Sequence, residues 1–156
     1  MGEGFLTYKG TVYPWHCDEM GHMNVMWYVG KFDEATRHFF HAIGLTSSFL
    51  RENKRGMAAV EQTIQYKREL LPGDIVTVHS VLLEIKEKSV RFAHEMRKAD
   101  TDEVAASTTL VGVHLDTLAR RACAFPECVR EKGAMLLAQV DSLDATLLRQ
   151  ANVVSA

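Results

Sequence analysis

The sequence lacks the features that mark secreted and membrane proteins. Its first ten residues contain no basic segment followed by an apolar one, and Leu6 stands where a myristoylation signal requires Ser or Thr. No apolar run reaches the length of a membrane span. The three cysteines, Cys17, Cys123 and Cys128, form an odd set without the spacing of a disulfide framework or a zinc knuckle. We therefore expect reduced thiols, a cytoplasmic location and no membrane partner.

The sequence also lacks an excess of positive charge, internal repeats and linkers. Its 18 Lys and Arg residues against 20 Asp and Glu residues give a net charge of -2. The two signs are mixed along the chain, so we expect no nucleic-acid partner. With 156 residues, 47% of them hydrophobic, the chain fits one domain with its own core. We expect a single domain over residues 1–156, with its core at about 5–140 and a tail at 141–156.

A strand and a long amphipathic helix are predicted in the first third of the chain. Residues 5–13 mix β-branched and aromatic side chains and stop at Pro14, which favours a strand. From about Asn24, apolar residues recur at steps of three and four, which predicts a helix of about five turns. Asn24 is the candidate N-cap and Gly44 the stop. The predicted apolar face carries Val25, Tyr28, Val29, Phe32, Ala35, Thr36, Phe39, Phe40 and Ile43, and the polar face carries Lys31, Asp33, Glu34, Arg37, His38 and His41.

The rest of the chain predicts mainly strands. Period-two alternation and β-rich runs place strands at residues 60–70, 75–86, 90–97 and 104–115, the last with an alternative extension to 123. Pro126 is expected to open a final helix that reaches about residue 139, and a short helix at 143–148 is an option in the tail. The order is strand, long helix, then four strands in a meander with a terminal helix. This predicts an α+β fold, a curled antiparallel sheet of about five strands wrapped around one long central helix.

A polar loop with the sequence WHCDEMGHMN, residues 15–24, separates the first strand from the helix. Backbone N–H groups at a helix N-terminus are unpaired and carry the positive end of the dipole, so they can bind a carbonyl oxygen or an oxyanion. The carboxylate of Asp18 can attack such a polarised carbonyl, or take a proton from an attacking water. The alternative from the residues alone is a turn aspartate bonded to its own backbone.

Three segments together resemble the signature of the 4-hydroxybenzoyl-CoA thioesterase family. They are the motif D-x-x-G-H-x-N at residues 18–24, Tyr28, and the motif D-E-A-x-R at residues 33–37. The turn LPGD at residues 71–74 and the order of strands are also similar, so that the resemblance covers about residues 5–140. It implies a hot-dog fold and an acyl-CoA thioesterase for a small or medium acyl group. It implies no cofactor, since coenzyme A is part of the substrate.

The resemblance implies roles for four residues of the loop and helix start. Asp18 would be the nucleophile or the general base, and the backbone N–H of Val25 would polarise the thioester carbonyl. Gly21 would let the loop pass close to the thioester. His22 would orient Asp18 or the substrate, and a purely structural His that caps the helix is the alternative.

Further substrate contacts are predicted at Asn24, Tyr28, Trp15, Lys86 and Lys88. The two lysines match a basic turn that the family uses against the phosphates of coenzyme A, whereas Glu87 stands where another base is expected. The carrier of the acyl group can therefore be coenzyme A or a carrier protein. For Asn24 the preferred role is helix capping.

Aromatic residues near the loop have two readings. Trp15, Trp27, Tyr28 and Phe32 either line an acyl pocket or belong to the core, which is the usual place for aromatics at helical spacing. If several of them converged, they could form a cage for a cationic acyl group such as a quaternary ammonium.

No metal is expected. His16, Cys17, Asp18 and His22, even with Glu34 and His38 added, do not have the spacing of a closed zinc site.

Two other functions stay open on the sequence alone, namely an acyl-CoA hydratase or dehydratase on the same fold and a non-catalytic acyl-thioester-binding module. The predicted sheet would leave long strand edges exposed, and pairing them between copies would cover them. We therefore expect a homodimer or a homotetramer with the site at the subunit interface.

Overall fold

A computed structural model describes residues 4–139. Its elements are β1 (Phe5–Thr11), a 3₁₀ turn (Pro14–His16), α1 (Val25–Ala42), α2 (Ser47–Glu52), β2 (Arg55–Tyr66), β3 (Ile75–Ile85), β4 (Ser89–Lys98), β5 (Val104–Asp116), β6 (Arg121–Ala122) and α3 (residues 127–139). None of the helices in this part of the chain is both long and apolar enough to cross a membrane. The predicted tail and its optional short helix lie outside the described residues.

The antiparallel sheet has the strand order β1-β3-β4-β5-β2. The predicted meander is therefore confirmed for β3, β4 and β5 and is wrong for β2, which pairs with β5 at the far edge. The reason lies in the connection from β2 to β3, because it is bound to other elements rather than folded as a hairpin. Met23 N–H donates to Leu70 O at 2.7 Å, and the Tyr28 hydroxyl donates to Arg68 O at 2.9 Å.

The alternative extension of β5 through residue 123 is wrong. The chain reverses at residues 117–120, where the Asp116 carboxylate accepts the backbone N–H groups of Leu118 and Ala119 at 2.9 Å each. β6 then pairs back on the end of β5. The short β-ladder brings residue 123 beside His114 instead of continuing the strand.

Helix α1 fills the concave face of the sheet, which confirms the fold class predicted from the sequence. Its side chains pack on the inward residues of the central strands, and Phe39 stacks on Phe92 with 4.7 Å between ring centroids. The Asn24 side chain caps its first turn, and Gly44, with φ +96°, follows its last. The fully buried members of this core include Phe32, Phe39, Phe92, Met96, Ile43, Val76 and Val78.

The two faces of α1 differ from the prediction at three residues. Lys31, assigned to the polar face, is 4% exposed, because its stem packs beside β1 and its ammonium donates to Tyr8 Oη at 3.1 Å and Thr11 O at 3.2 Å. Val25 and Val29, assigned to the apolar face, are exposed. Val25 is in the first turn of the helix, and Val29 lines a cavity shared with Met57 and Ala59 of β2.

A buried chain of hydroxyls surrounds His94 in the middle of the core. The Thr36 hydroxyl donates to Phe32 O at 2.9 Å and so accepts from His94 Nε2 at 2.8 Å. On the other side of the ring, Ser80 Oγ lies 2.6 Å from Nδ1 and 2.7 Å from Thr7 Oγ1. The imidazole is therefore fully hydrogen-bonded in its neutral form. Burial lowers its pKa from 6.5 to about 4.

This depressed pKa makes the folded protein sensitive to acid. In the unfolded chain His94 takes up a proton near pH 6.5, whereas in the folded chain it does so only near pH 4. Neutral His94 therefore contributes to the free energy of unfolding fully above pH 6.5. This contribution is about 3 kcal/mol, and it is lost as the pH falls from 6.5 towards 4. We expect urea unfolding to show this loss in the wild type, and a His94→Gln variant to show a correspondingly shallower pH dependence. Equal slopes in the two proteins would contradict the assignment.

Candidate active site

The loop before α1 folds as a tight hairpin. Cys17 and Met23 form a β-bridge, Asp18 N–H donates to His22 O at 3.2 Å, and Gly21 N–H donates to Asp18 O at 3.0 Å. Gly21 has φ +82°, a conformation that side chains disfavour, and a Cβ built on it would meet no atom of the described residues within 4 Å. The glycine therefore serves the backbone turn, and the space beside it is open to a ligand.

The side chain of Asn24 joins this hairpin to the helix. Its amide Nδ2 donates to Asp18 Oδ2 at 2.7 Å, while its Oδ1 accepts the backbone N–H of Met26 at 2.9 Å. Its backbone N–H also donates to His16 O at 2.9 Å. The capping role predicted for Asn24 is confirmed, and one amide group holds the carboxylate of Asp18 beside the helix N-terminus.

The carboxylate of Asp18 is ionised and reachable from solvent. The amide of Asn24 and, to a lesser extent, the backbone N–H of Met20, which donates to Oδ1 at 3.0 Å, hold the pKa of this carboxyl below its usual value of 3.8. The hydrogen bond from Met20 is the contact expected of a turn aspartate, which was the alternative to a catalytic role for Asp18. The turn uses Oδ1 and Asn24 uses Oδ2, so a turn contact and a catalytic role are compatible.

The backbone N–H of Val25 is the available donor at the helix N-terminus. Met26 N–H is taken by the Asn24 side chain and Trp27 N–H by Asn24 O at 3.0 Å. Among the hydrogen bonds within residues 4–139, none uses the N–H of Val25, and this residue is 55% exposed. An unpaired N–H at the positive end of an 18-residue helix suits a developing oxyanion.

His22 makes its polar contacts with Glu69 and Met23, and none with the carboxylate it was predicted to orient. Its Nε2 lies 3.6 Å from Glu69 Oε1, and its Nδ1 lies 3.5 Å from Met23 O. The ring therefore links the hairpin to the connection between β2 and β3. Glu69 was not singled out from the sequence, since nothing there distinguishes it from the other acidic residues of the chain.

The structure places Tyr28 in the core and Trp15 at the surface. Tyr28 is buried, with its hydroxyl bonded to Arg68 O and its ring 5.2 Å from that of Tyr66, and burial raises its pKa to about 12. Trp15 is 67% exposed and stacks on Tyr13 with 4.4 Å between centroids. Tyr28 thus anchors the connection between β2 and β3, and Trp15 extends an exposed aromatic surface.

The four aromatic residues for which the sequence left both an acyl pocket and core packing open do not form one cage. Trp15 and Trp27 line a common cavity on the β1 side of α1, whereas Tyr28 and Phe32 pack into the core. Lys31 also lines that cavity, so a quaternary ammonium would meet a like charge there.

Lys86 and Lys88 lie at the opposite end of the sheet from Asp18. The hairpin loop adjoins the start of β3, where Thr11 pairs with Ile75, whereas the lysines follow the end of this strand. An 11-residue strand spans about 35 Å, so a single chain does not bring these lysines to Asp18. Lys86 pairs instead with Glu84, at 3.8 Å.

No group of three His, Cys, Asp or Glu side chains within residues 4–139 is arranged to hold a metal ion.

Comparison with known proteins places the chain among thioesterases. The model of the thioesterase-like superfamily matches residues 12–133. A solved gentisyl-coenzyme A thioesterase is 31% identical, with 81% of this chain and 98% of that chain covered and a TM-score of 0.72. A hypothetical protein from Staphylococcus aureus in complex with CoA is 22% identical over 86% of this chain and 85% of that chain, with a TM-score of 0.80. A 1,4-dihydroxy-2-naphthoyl-CoA thioesterase from Synechocystis is 15% identical over 83% and 95%, with a TM-score of 0.73. No curated protein matches the chain significantly.

Proposed function

Because the chain belongs to the thioesterase-like superfamily and is an acyl-CoA thioesterase, we propose that it cleaves a small or medium acyl-CoA at the hairpin of residues 15–24. The observation that carries this proposal is the side chain of Asn24. It bonds the carboxylate of Asp18 on one side and caps α1 on the other, so that a nucleophile and an N–H donor stand next to each other. This is the pair of groups that thioester hydrolysis needs.

In the proposed reaction the thioester carbonyl oxygen accepts the N–H of Val25. Asp18 either attacks the carbonyl carbon or removes a proton from the water that attacks it. Direct attack forms a bond from the carboxylate oxygen to the carbonyl carbon, expels the thiolate and leaves an anhydride that water then hydrolyses. Both routes release a carboxylate and a thiol. The lowered pKa of Asp18 keeps the carboxylate ionised, which both routes require.

An aromatic acyl group is one supported choice of substrate. The solved relatives include thioesterases for gentisyl-coenzyme A and 1,4-dihydroxy-2-naphthoyl-CoA. In our proposal this chain accepts acyl groups of similar class, and thiol release from short, aromatic, long-chain and cationic acyl-CoAs tests it. Saturable hydrolysis of at least one member supports the proposal. Ligand binding without thiol release would point to a binding module, and formation of a hydrated acyl-CoA to a hydratase.

The proposed site is completed by a second copy of the chain. Strand β2 is an edge strand, and Val60 on it is 62% exposed and Tyr66 48% exposed. Apolar side chains on an unpaired edge favour association. Lys86 and Lys88, far from Asp18 in one chain, can contact the phosphates of coenzyme A only if the assembly brings them to the site of another chain.

We expect light scattering to give a mass of at least twice the 17.5 kDa of one chain. A Val60→Lys change should shift the mass towards that of one chain, since it places a charge on the β2 edge. Exposed Lys9 lies on β1 at the other edge, and Lys9→Glu serves as its control. A wild-type monomer that still hydrolyses acyl-CoA would contradict the shared site.

A further inference from the structure

A cavity of about 420 Å³ opens on the β1 side of α1. Both tryptophans of the chain, Trp15 and Trp27, line it, together with Tyr13, whose ring stacks on Trp15 at an interplanar angle of 10°. Neither Asp18 nor Val25 is among the lining residues. The cavity is therefore distinct from the carboxylate and the N–H that the proposed hydrolysis uses, and its walls are flat and aromatic.

Lys31 is the least exposed side chain that lines the cavity. Two of its three ammonium protons are used, one by Tyr8 Oη and one by Thr11 O. No carboxylate within residues 4–139 lies within 4 Å of its Nζ. Burial lowers the pKa of Lys31, and the charge of exposed Glu34 opposes this shift only in part, because the buried ammonium has no directly paired carboxylate. The ammonium thus has one donor and one positive charge to offer to an anion.

His16 also lines the cavity and is the candidate for a second donor. Its Nδ1 accepts the backbone N–H of Tyr13 at 3.0 Å, so the neutral ring carries its proton on Nε2. Burial, reinforced by the charge of Lys31, lowers the pKa of His16 and favours this neutral form. No hydrogen bond within the described part of the chain uses Nε2, which leaves its N–H available.

We propose that this cavity binds an aromatic carboxylate, with the carboxylate on Lys31 and His16 and the ring against the aromatic walls. Two donors match the two oxygens of a carboxylate, and the bond from the ammonium is charge-assisted. A single cation suits a monoanion, whereas a phosphate dianion would leave one charge uncompensated. Glu34 is exposed and lines the same cavity, and its negative charge also disfavours a ligand with two negative charges. The volume falls within the range of small-molecule sites.

Because both tryptophans line the cavity, ligand binding there can be followed by intrinsic tryptophan fluorescence. We expect benzoate to change the tryptophan emission of the wild-type protein saturably. Benzamide has a similar shape and no charge, so it should bind about tenfold more weakly or worse, because it loses a charge-assisted bond. Equal responses to benzoate and benzamide, or no response to either, would overturn the proposal. Tighter binding of adenosine 3′-monophosphate or inorganic phosphate than of benzoate would also overturn it.

Substitutions separate the ammonium from the rest of the cavity. Lys31→Met keeps most of the stem and removes the charge, and it should weaken benzoate binding by about tenfold or more and leave benzamide binding unchanged. Lys9→Met removes the charge of an exposed lysine on β1 that does not line the cavity, so it is the control and should leave both affinities unchanged. Glu34→Gln, which removes the negative charge near Lys31, should tighten benzoate binding. Unchanged benzoate affinity in both Lys31→Met and Glu34→Gln would refute the role of Lys31.

Two variants test whether the cavity is separate from the proposed catalytic site. Asp18→Asn should bind benzoate like the wild type, and Lys31→Met should retain thioester hydrolysis. Loss of benzoate binding in Asp18→Asn would place the ligand at the catalytic loop and overturn the separate site. These readouts hold whether or not the proposed hydrolysis is correct, because fluorescence reports the cavity and thiol release reports the reaction.

Discussion

Replacing Asp18 by Asn is expected to reduce thiol release from the best acyl-CoA substrate by about 10³-fold or more. The change removes the negative charge and the nucleophile. The single oxygen of Asn can replace only one of the two acceptors, so the bond from Met20 N–H or the bond from the Asn24 amide is lost. The backbone hydrogen bonds at residues 18 and 21 remain, so the hairpin should stay folded, with a thermal midpoint somewhat below that of the wild type. The measurement is steady-state hydrolysis, with circular dichroism and thermal unfolding in parallel.

Glu19 provides the matched control for this experiment. It is the next residue in the same hairpin and is exposed, so Glu19→Gln removes a neighbouring charge without touching the bonds of Asp18. Its activity should equal that of the wild type. If Asp18→Asn kept wild-type activity, or if Glu19→Gln lost as much, Asp18 would not be the catalytic carboxylate.

Replacing Val25 by Pro is expected to lower kcat by about 10²-fold or more, because it deletes the N–H proposed to stabilise the oxyanion. The position tolerates proline in the fold. Val25 is the first residue of α1, where the fixed φ of proline suits the helix and the lost N–H has no intrahelical acceptor. The preceding Asn24 has φ −71° and ψ 149°, an extended conformation that a following proline allows.

Val25→Ala separates the N–H from the side chain. Alanine keeps the backbone donor and removes the exposed isopropyl group, so its kcat should stay near the wild-type value while Val25→Pro loses activity. Helical content and thermal midpoints of both variants show whether α1 is intact. A similar loss in both variants would assign the effect to the side chain, and unchanged activity in Val25→Pro would remove the oxyanion role of this N–H.

Much of the fold could be predicted because local patterns and burial agree. The turn at residues 71–74, the alternation of Val90, Phe92, His94 and Met96, and both ends of α1 stand as the sequence predicts. The position of β2 at the far edge could not be predicted, because the alternation at residues 60–70 indicates a strand but does not show which strand it pairs with. Helix α2, six residues long, is too short to show a helical period.

The site could be predicted only where a residue contacts others that are close to it in the sequence. The hairpin, the cap at Asn24 and the helix start follow from consecutive residues. The bond from the Asn24 amide to Asp18 did not follow, because helix capping alone leaves the direction of Nδ2 undefined. Lys31 shows the opposite case, since its burial depends on Tyr8 and Thr11 of a strand that the helix meets only after folding.

The placement of β1 beside β3 also sets an order for folding. Thr7 and Ser80, whose hydroxyls meet in the core, are 73 residues apart in sequence, so the loop that this pair closes carries a large entropic cost. Strands β3, β4 and β5 are joined by short turns, so the entropic cost of pairing them is smaller. We expect residues 75–116 to acquire amide protection first, and the slowest step of folding to be the arrival of the N-terminal strand at an edge already formed.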